Sequence, residues 1–431
     1  MSVAFPEVAV GGGSVGTRIT RRDRQGSDVP QRRRRTASLL AVGVLAATLG
    51  LAACSSGASG AAGDCDTDRG TLAVGLIAPL SGPLANIGLG MRDSADLAVR
   101  QANERCAVPG YRLELQARDD RADPPTGAAA ARELAANPDL IGVVGTYNSS
   151  TAQAVQPVLG DAGIVQVSPG NTNVSLTRGV NPVAAPLRQY QTYFRVVATD
   201  AVQGPAAADH LAALGRTRVA VVSDGQTYGE GIADEFVKQL GTRGGDAVMR
   251  MTLPAGSRPD AAVAAISRAR PQAVFYGGEY PDAGPLSKAL SGLGVPLVGG
   301  DGIVDPDYAA AGGRDGDLGT SVGPPTETLP GATAFITAYR AAGYRESYGQ
   351  YGAFSFDAAN VVLGATTSAL NRGGGEWSAD LRRSVAQAVQ AYAADGVTGP
   401  ISFDRFGDVG TDAVTMYRLV GGRWIPDRTQ P

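Results

Sequence analysis

The chain has 431 residues, a formal net charge of −3 and a single histidine, His210, with a pI near 5.4. Beyond the N-terminal leader its lysines and arginines are scattered, which speaks against a nucleic-acid partner. The length exceeds what one hydrophobic core supports and suits two.

The first signal along the chain is one for export. Arg32 to Arg35 form a positive stretch, Leu39 to Leu49 an apolar one, and Ala52-Ala53 the small residues that precede a peptidase cut. Leu51-Ala52-Ala53-Cys54 then reads as a lipobox. Cleavage before Cys54 and diacylation of its thiol would leave the mature chain lipid-anchored on the extracytoplasmic face of the cell membrane. The alternative, a transmembrane helix, needs roughly 20 apolar residues, more than this run supplies. A twin-arginine signal fits poorly because Thr36-Ala37-Ser38 follows the arginines. Ser55 to Gly63 contains only Ser, Gly and Ala, the composition of a flexible tether. Two other cysteines remain, Cys65 and Cys106. An exported chain sits in an oxidising compartment. Cys65 precedes the first predicted strand and Cys106 follows the first predicted helix, at the same edge of a strand–helix–strand unit. A disulfide is expected, with two separate thiols as the alternative.

From Thr71 short apolar runs alternate with amphipathic ones. Strands are predicted at 72–78, 111–117, 140–144 and 163–168, and helices at 88–103, 125–136 and 149–159. After Asp200 a second series begins, with helices at 203–214, 229–241, 260–268 and 284–292. Its strands fall at 218–223, 247–253, 273–277 and 296–299. Continuous apolar strands between helices indicate parallel strands buried on both faces. The expected fold class is therefore α/β, two doubly wound Rossmann-like lobes. In the tail, helices are predicted at 333–342, 354–370 and 378–392, followed by an antiparallel pair, Ile401–Phe406 with Thr415–Leu419. These segments need a sheet to pack on, so the chain should return to earlier lobes and create a hinge.

Catalysis finds little support. His210 stands alone on a predicted helix, and no G-x-S-x-G, H-E-x-x-H or Walker loop occurs. Asp64, Asp66 and Asp68 imitate the start of a calcium loop, but Gly70 and Gly75 stand where other residues are required. No metal and no cofactor are expected. Binding is better supported, because ligands of open α/β sheets sit beyond the carboxyl ends of the strands, where helix N-termini offer free N–H groups. Gly145 to Ser150, which follows a strand with hydroxyls at a helix start, suits a carboxylate. Alternatively, Ser149 simply caps that helix. Pro169 to Thr172 is similarly small and polar. The second series offers Asp224 to Tyr228, Gly278-Glu279-Tyr280 and Gly300-Asp301-Gly302. A carboxylate receiver on one lobe and Glu279 and Asp301 on the other would suit an α-amino acid.

Six motifs carry a family likeness: Gly75-Leu-Ile-Ala-Pro-Leu-Ser-Gly-Pro83, Gly145 through Ser150, Val167-Ser-Pro-Gly-Asn-Thr172, Ser223-Asp-Gly-Gln-Thr-Tyr-Gly-Glu-Gly231, Phe275-Tyr-Gly-Gly278 and Gly399-Pro-Ile-Ser-Phe-Asp404. In this order, over residues 71–425, the chain resembles the leucine/isoleucine/valine-binding class of periplasmic solute-binding proteins of ABC transporters (periplasmic binding protein type I). The resemblance implies a three-segment hinge near residues 197, 321 and 398. It divides the chain into a leader (1–53), a tether (54–70), lobe 1 (71–197 and 322–398), lobe 2 (198–321), and a crossover with C-terminal strands packed on lobe 2 (399–431). It further implies that Ser149, Thr172 and the backbone of Gly170 hold the ligand's carboxylate and amino group. Tyr228 would close over the ligand, Asp301 would face the α-ammonium, and Tyr351 would form a wall. Ile87, Asn171 and Glu279 depart from the family pattern; Asn171 and Glu279 make the pocket more polar than a leucine pocket, with Tyr280 an alternative to Glu279. The implied function is an extracytoplasmic receptor, without enzymatic activity, that delivers a small polar solute to an ABC permease. The alternative is a sensing lipoprotein of the same fold that reports to a signalling partner. A monomer is expected.

Overall fold

The computed structural model describes residues 65–430; the lipobox, Cys54 and the tether up to residue 64 lie outside them. In chain order the first lobe contains β1 (Thr71–Ala78), α1 (Ala85–Glu104), β2 (Arg112–Asp119), α2 (Pro124–Ala135), β3 (Leu140–Gly145), α3 (Ser149–Asp161), β4 (Gln166–Ser168), α4 (Ser175–Arg178) and β5 (Tyr193–Arg195). The second contains α5 (Asp200–Ala213), β6 (Arg218–Ser223), α6 (Thr227–Thr242), β7 (Asp246–Thr252), α7 (Asp260–Ala269), β8 (Ala273–Gly277), α8 (Tyr280–Ala289), β9 (Leu297–Gly299), α9 (Tyr308–Ala311) and β10 (Leu318–Val322). The tail adds α10 (Ala332–Ala341), α11 (Gly352–Arg372), α12 (Arg382–Gln390), β11 (Ala393–Gly396), β12 (Gly399–Ser402), β13 (Val414–Val420) and β14 (Arg423–Gln430).

The first sheet has the order β2-β1-β3-β4-β5, all parallel. The second runs β14-β13-β10-β9-β8-β6-β7 and repeats that order in its parallel part, to which β13 and β14 add antiparallel strands. Parallel strands covered by helices on both faces must be apolar on both faces. In β1 seven successive residues are accordingly buried, and β3 is buried throughout. Helices α2 and α3 close one face of the first sheet around Leu134, Val155 and Leu159. The other face is covered by α1 and by α11, a segment far away in sequence. In both sheets the winding reverses beside the first strand, between β1 and β3 and between β6 and β8. A crevice opens there at the carboxyl ends of the strands.

The chain passes from the first sheet to the second between Arg195 and Asp200, back between Val322 and Ala332, and over again between Ser402 and Val414. Arg195, fully buried, sits at the first of these passages. Its Nε donates to Asp408 at 2.7 Å, and its Nη1 donates to the carbonyls of Asn171 and Asn173 at 3.0 and 2.8 Å. One guanidinium thus ties the third passage to the loop after β4.

The structure differs from the sequence reading in the tail. Ile401 and its neighbours pair with β11 as a separate hairpin, whereas Thr415–Leu419 lies in β13 between β10 and β14. Alternation of apolar residues marks a strand but leaves its partner unspecified. The structure adds the short strands β5 and β10, and also β14, whose sequence has too few apolar residues to stand out.

Cys65 and Cys106 are joined in a disulfide, with Cα atoms 5.5 Å apart and 41 residues of separation. Closing a loop of that length removes unfolded-chain entropy worth about 4 kcal/mol. The Cys65→Ser/Cys106→Ser double variant is therefore expected to lose stability of that order in urea unfolding, and equal midpoints would show that the bridge contributes little.

Candidate functional site

The site grows out of the loops at the two reversal points. In lobe 1 the loop after β4 is tied to the loop after β3 through Ser168. Its hydroxyl donates to the carbonyl of Thr146 at 3.1 Å and accepts from the backbone N–H groups of Gly170 and Asn171 at 3.2 and 2.9 Å. These bonds place Gly170 against the ring of Tyr147, so close that an added Cβ would stand 3.1 Å from the ring and 3.6 Å from that of Tyr351. Ser149, buried at the first position of α3, and Thr172, buried beside Asp200, flank the same loops. Asn171 is directed into lobe 1. Its Nδ2 donates to the Tyr147 carbonyl at 2.6 Å, and its Oδ1 accepts from the Tyr193 hydroxyl at 3.1 Å.

In lobe 2, α6 meets β8 where Gly229 and Gly277 touch backbone to backbone, a contact no larger residue allows. This approach carries Tyr228 over the strand ends, and its hydroxyl accepts from the N–H of Gly302 at 3.0 Å. Asp301 is buried, with Oδ1 accepting from Gln203 Nε2 at 3.0 Å and Oδ2 from the Tyr351 hydroxyl at 2.8 Å. Glu279 accepts from the Tyr147 hydroxyl at 2.7 Å and from Asn148 Nδ2 at 3.1 Å. Tyr147 and Tyr351 meet edge to face, ring centres 5.1 Å apart.

The lobes therefore latch, with side chains of lobe 1 donating to carboxylates of lobe 2. Asn86 Nδ2 adds bonds to Asp305 and Asp307, both at 3.1 Å. Farther along the seam the hydroxyl of Ser150 accepts from Thr227 N at 3.0 Å. Burial pushes the carboxyl of Glu279 well above its ordinary range, against the pull of the Tyr147 hydrogen bond. Burial likewise raises Asp301, against hydrogen bonds from Gln203, Tyr228 and Tyr351. Nearby, burial lifts Asp224 to about 7 and Asp305 to about 6.

Of the sequence-nominated residues, Ser149, Tyr228 and Glu279 line one cavity of about 250 Å³ in the seam. Ile87 and Tyr351 line another of about 200 Å³. Gly170, Thr172 and Asp301 lie in the packed layer around them, and Asn171 lies behind it. Both Glu279 and Tyr280 face the other lobe, the Tyr280 hydroxyl donating to the carbonyl of Pro83 at 2.8 Å. Tyr147 and Asn148, both within the Gly145–Ser150 motif, also reach across the seam, although the composition of that motif draws attention to its hydroxyls instead. Gln203 carried no signal, since one amide on an amphipathic helix looks like any other. Among the described residues no group of metal-ligating side chains assembles, and no helix is long and apolar enough to cross a membrane.

Two parallel-sheet lobes, linked by three passages and facing each other across their strand ends, define a type I periplasmic-binding fold. The chain belongs to the periplasmic binding protein family, which matches residues 71–423. It is 30% identical over 366 residues to the leucine-, isoleucine-, valine-, threonine- and alanine-binding protein of Pseudomonas aeruginosa, covering 84% of this chain and 91% of that one. Among solved structures, a leucine-binding protein from Thermotoga maritima superposes with a TM-score of 0.72 at 24% identity, covering 83% of this chain and 98% of that one. A branched-chain amino acid substrate-binding protein from Streptococcus pneumoniae, in complex with isoleucine, gives 0.71 at 24% identity and covers 84% and 99%. The family consists of extracytoplasmic solute-binding proteins rather than enzymes, and this chain is a ligand-binding protein of the leucine/isoleucine/valine-binding type.

Proposed function

We propose that the protein is the solute receptor of an ABC importer, lipid-anchored through Cys54, that closes on an amino acid or a close relative and delivers it to a membrane permease. The observation that carries this reading is the division of labour across the seam. Lobe 1 presents the start of α3 with the hydroxyl of Ser149, and the buried hydroxyl of Thr172. Lobe 2 presents the buried carboxylates of Glu279 and Asp301. A zwitterion fits that polarity, its carboxylate toward the helix start and its ammonium toward the acids. Ser149, Gly170 and Thr172 take the first role, Asp301 and Glu279 the second, and Tyr228 and Tyr351 enclose the ligand. A latch between lobes stabilises the loaded form over the open one, which gives a permease a shape to select. The relative from Pseudomonas aeruginosa, whose name specifies amino acids, supports the ligand class.

Calorimetric titration of the chain beginning at Cys54 with amino acids, amides, urea and short organic acids tests the reading. At least one α-amino acid is expected to bind in the micromolar range or tighter, and the matching acid without an amino group should bind far more weakly. Silence from every α-amino acid would overturn it.

A further inference from the structure

The cavity of about 250 Å³ in the seam reaches outward past Ser149 and Glu279. Its charged lining is three carboxylates of lobe 2, Asp224, Glu279 and Asp282, and one guanidinium, Arg121. The Arg121 side chain is 72% exposed and stands 3.9 Å from Asp119, so its charge is held at the rim beside a carboxylate of its own lobe. The acids are placed differently. Asp224 is only 4% exposed, and its Oδ1 accepts from the N–H of Gln226 at 2.8 Å. Its Oδ2 accepts no hydrogen bond from any other described residue. Asp282 is only half-buried, with Oδ1 bound to the N–H of Gly256 at 2.8 Å and Oδ2 unoccupied by other described residues. From lobe 1, Asn148 spends its amide N–H on Glu279 and leaves Oδ1 buried with no partner.

The buried atom left without a partner on this wall, Asn148 Oδ1, is an acceptor, and the carboxylate oxygens of Asp224 and Asp282 free of hydrogen bonds are acceptors beside it. Buried polar groups left unmatched are costly and rare, so their complement is a donor-rich group, and the surplus of negative charge asks for a cation. Leu84 and Pro281 supply an apolar flank along which methylenes can lie. Burial raises Asp224 to about 7, and a cation at its free oxygen would restore the charged form.

Resting on the amino-acid reading above, we infer that the ligand carries a second cationic group at the end of a methylene stem, as a basic α-amino acid such as lysine or ornithine does. The α-carboxylate and α-ammonium keep the places already assigned. The distal ammonium lies between Asp224, Asp282 and Asn148 Oδ1. Glu279, whose oxygens are already held by Tyr147 and Asn148, closes the gap between the two cationic groups.

The test compares lysine and ornithine with norleucine, which has the lysine chain without its terminal nitrogen, by calorimetry on the chain beginning at Cys54. A charge-assisted hydrogen bond to a buried acid predicts lysine or ornithine at least about tenfold tighter than norleucine. In both Asp224→Asn and Asp282→Asn that preference should fall toward unity, with folding checked by circular dichroism. The two variants are made separately, so one misfolded variant leaves the other to decide. Norleucine or leucine binding as tightly as the basic amino acids overturns the inference and leaves the amino-acid reading intact. So does a lysine preference that survives in a folded variant. No binding by any α-amino acid removes the reading on which the inference stands.

Discussion

Asp301→Asn is expected to weaken binding of the α-amino acid by at least about 30-fold, because loss of one partner from a buried charge pair costs roughly 2–5 kcal/mol. Asp301 is well suited to hold an ammonium. Gln203 fixes one oxygen at 3.0 Å and Tyr351 the other at 2.8 Å, so the carboxylate need not reorganise when the ligand arrives. Asparagine keeps the size and one acceptor but loses the charge. Tyr351→Phe removes one donor to Asp301 while keeping the ring that packs on Tyr147. It should cost less, about tenfold at most. Calorimetry on the two variants reads both effects. If Asp301→Asn binds like the wild type while Glu279→Gln loses the ligand, the ammonium belongs to Glu279.

Asp408→Ala is expected to lose about 3–5 kcal/mol of stability in urea unfolding, the usual cost of leaving a buried ion without its partner. Arg195 is fully buried, and Asp408 is its counter-ion at 2.7 Å; Asp408 also receives Arg178 Nε at 3.1 Å. Burial alone would raise the Asp408 carboxyl, but the charge of Arg195 and the hydrogen bonds around it outweigh that and hold it below the ordinary range. A carboxylate with a depressed folded value contributes fully above its unfolded value, about 3.9. The contribution is lost as pH falls through the folded value. The gap between wild type and variant should therefore be constant near neutrality and narrow only below about pH 4. A gap that closes near pH 6 would assign the stability to another group. Because Arg195 also holds the carbonyls of Asn171 and Asn173, the same variant should loosen the loop that carries Gly170 and Thr172.

The lobes were legible because their strands are buried on both faces. Leu140–Gly145 and Ala273–Gly277 are continuous apolar runs with no polar face, and their shortness and the turn residues that follow them separate them from helices. The passages between lobes were harder. What makes Tyr193–Arg195 and Leu318–Val322 strands is their pairing, with β4 in the first case and with β9 and β13 in the second, rather than anything local. The site divides similarly. Loops such as Gly145–Ser150 and Gly278–Tyr280 announce themselves by composition at strand ends. Which atoms meet across the seam depends on how two distant loops are brought together, as with Tyr147 and Glu279 or Tyr351 and Asp301. Asn171 shows the reverse: in sequence it stands among ligand-facing residues, and its amide is used up inside its own lobe.

The bridge between Cys65 and Cys106 has a mechanical consequence. Whatever tugs on the N-terminal segment reaches the folded body first at Cys65, and the covalent link hands that load to the turn after α1 before it can travel along β1. The load enters at the pole where β1 begins, while the loops of the candidate site lie at the pole where β1 ends. A pull on the N-terminal side of Cys65 is therefore shared between two entry points at one end of the first sheet, and the seam between the lobes lies at the other end.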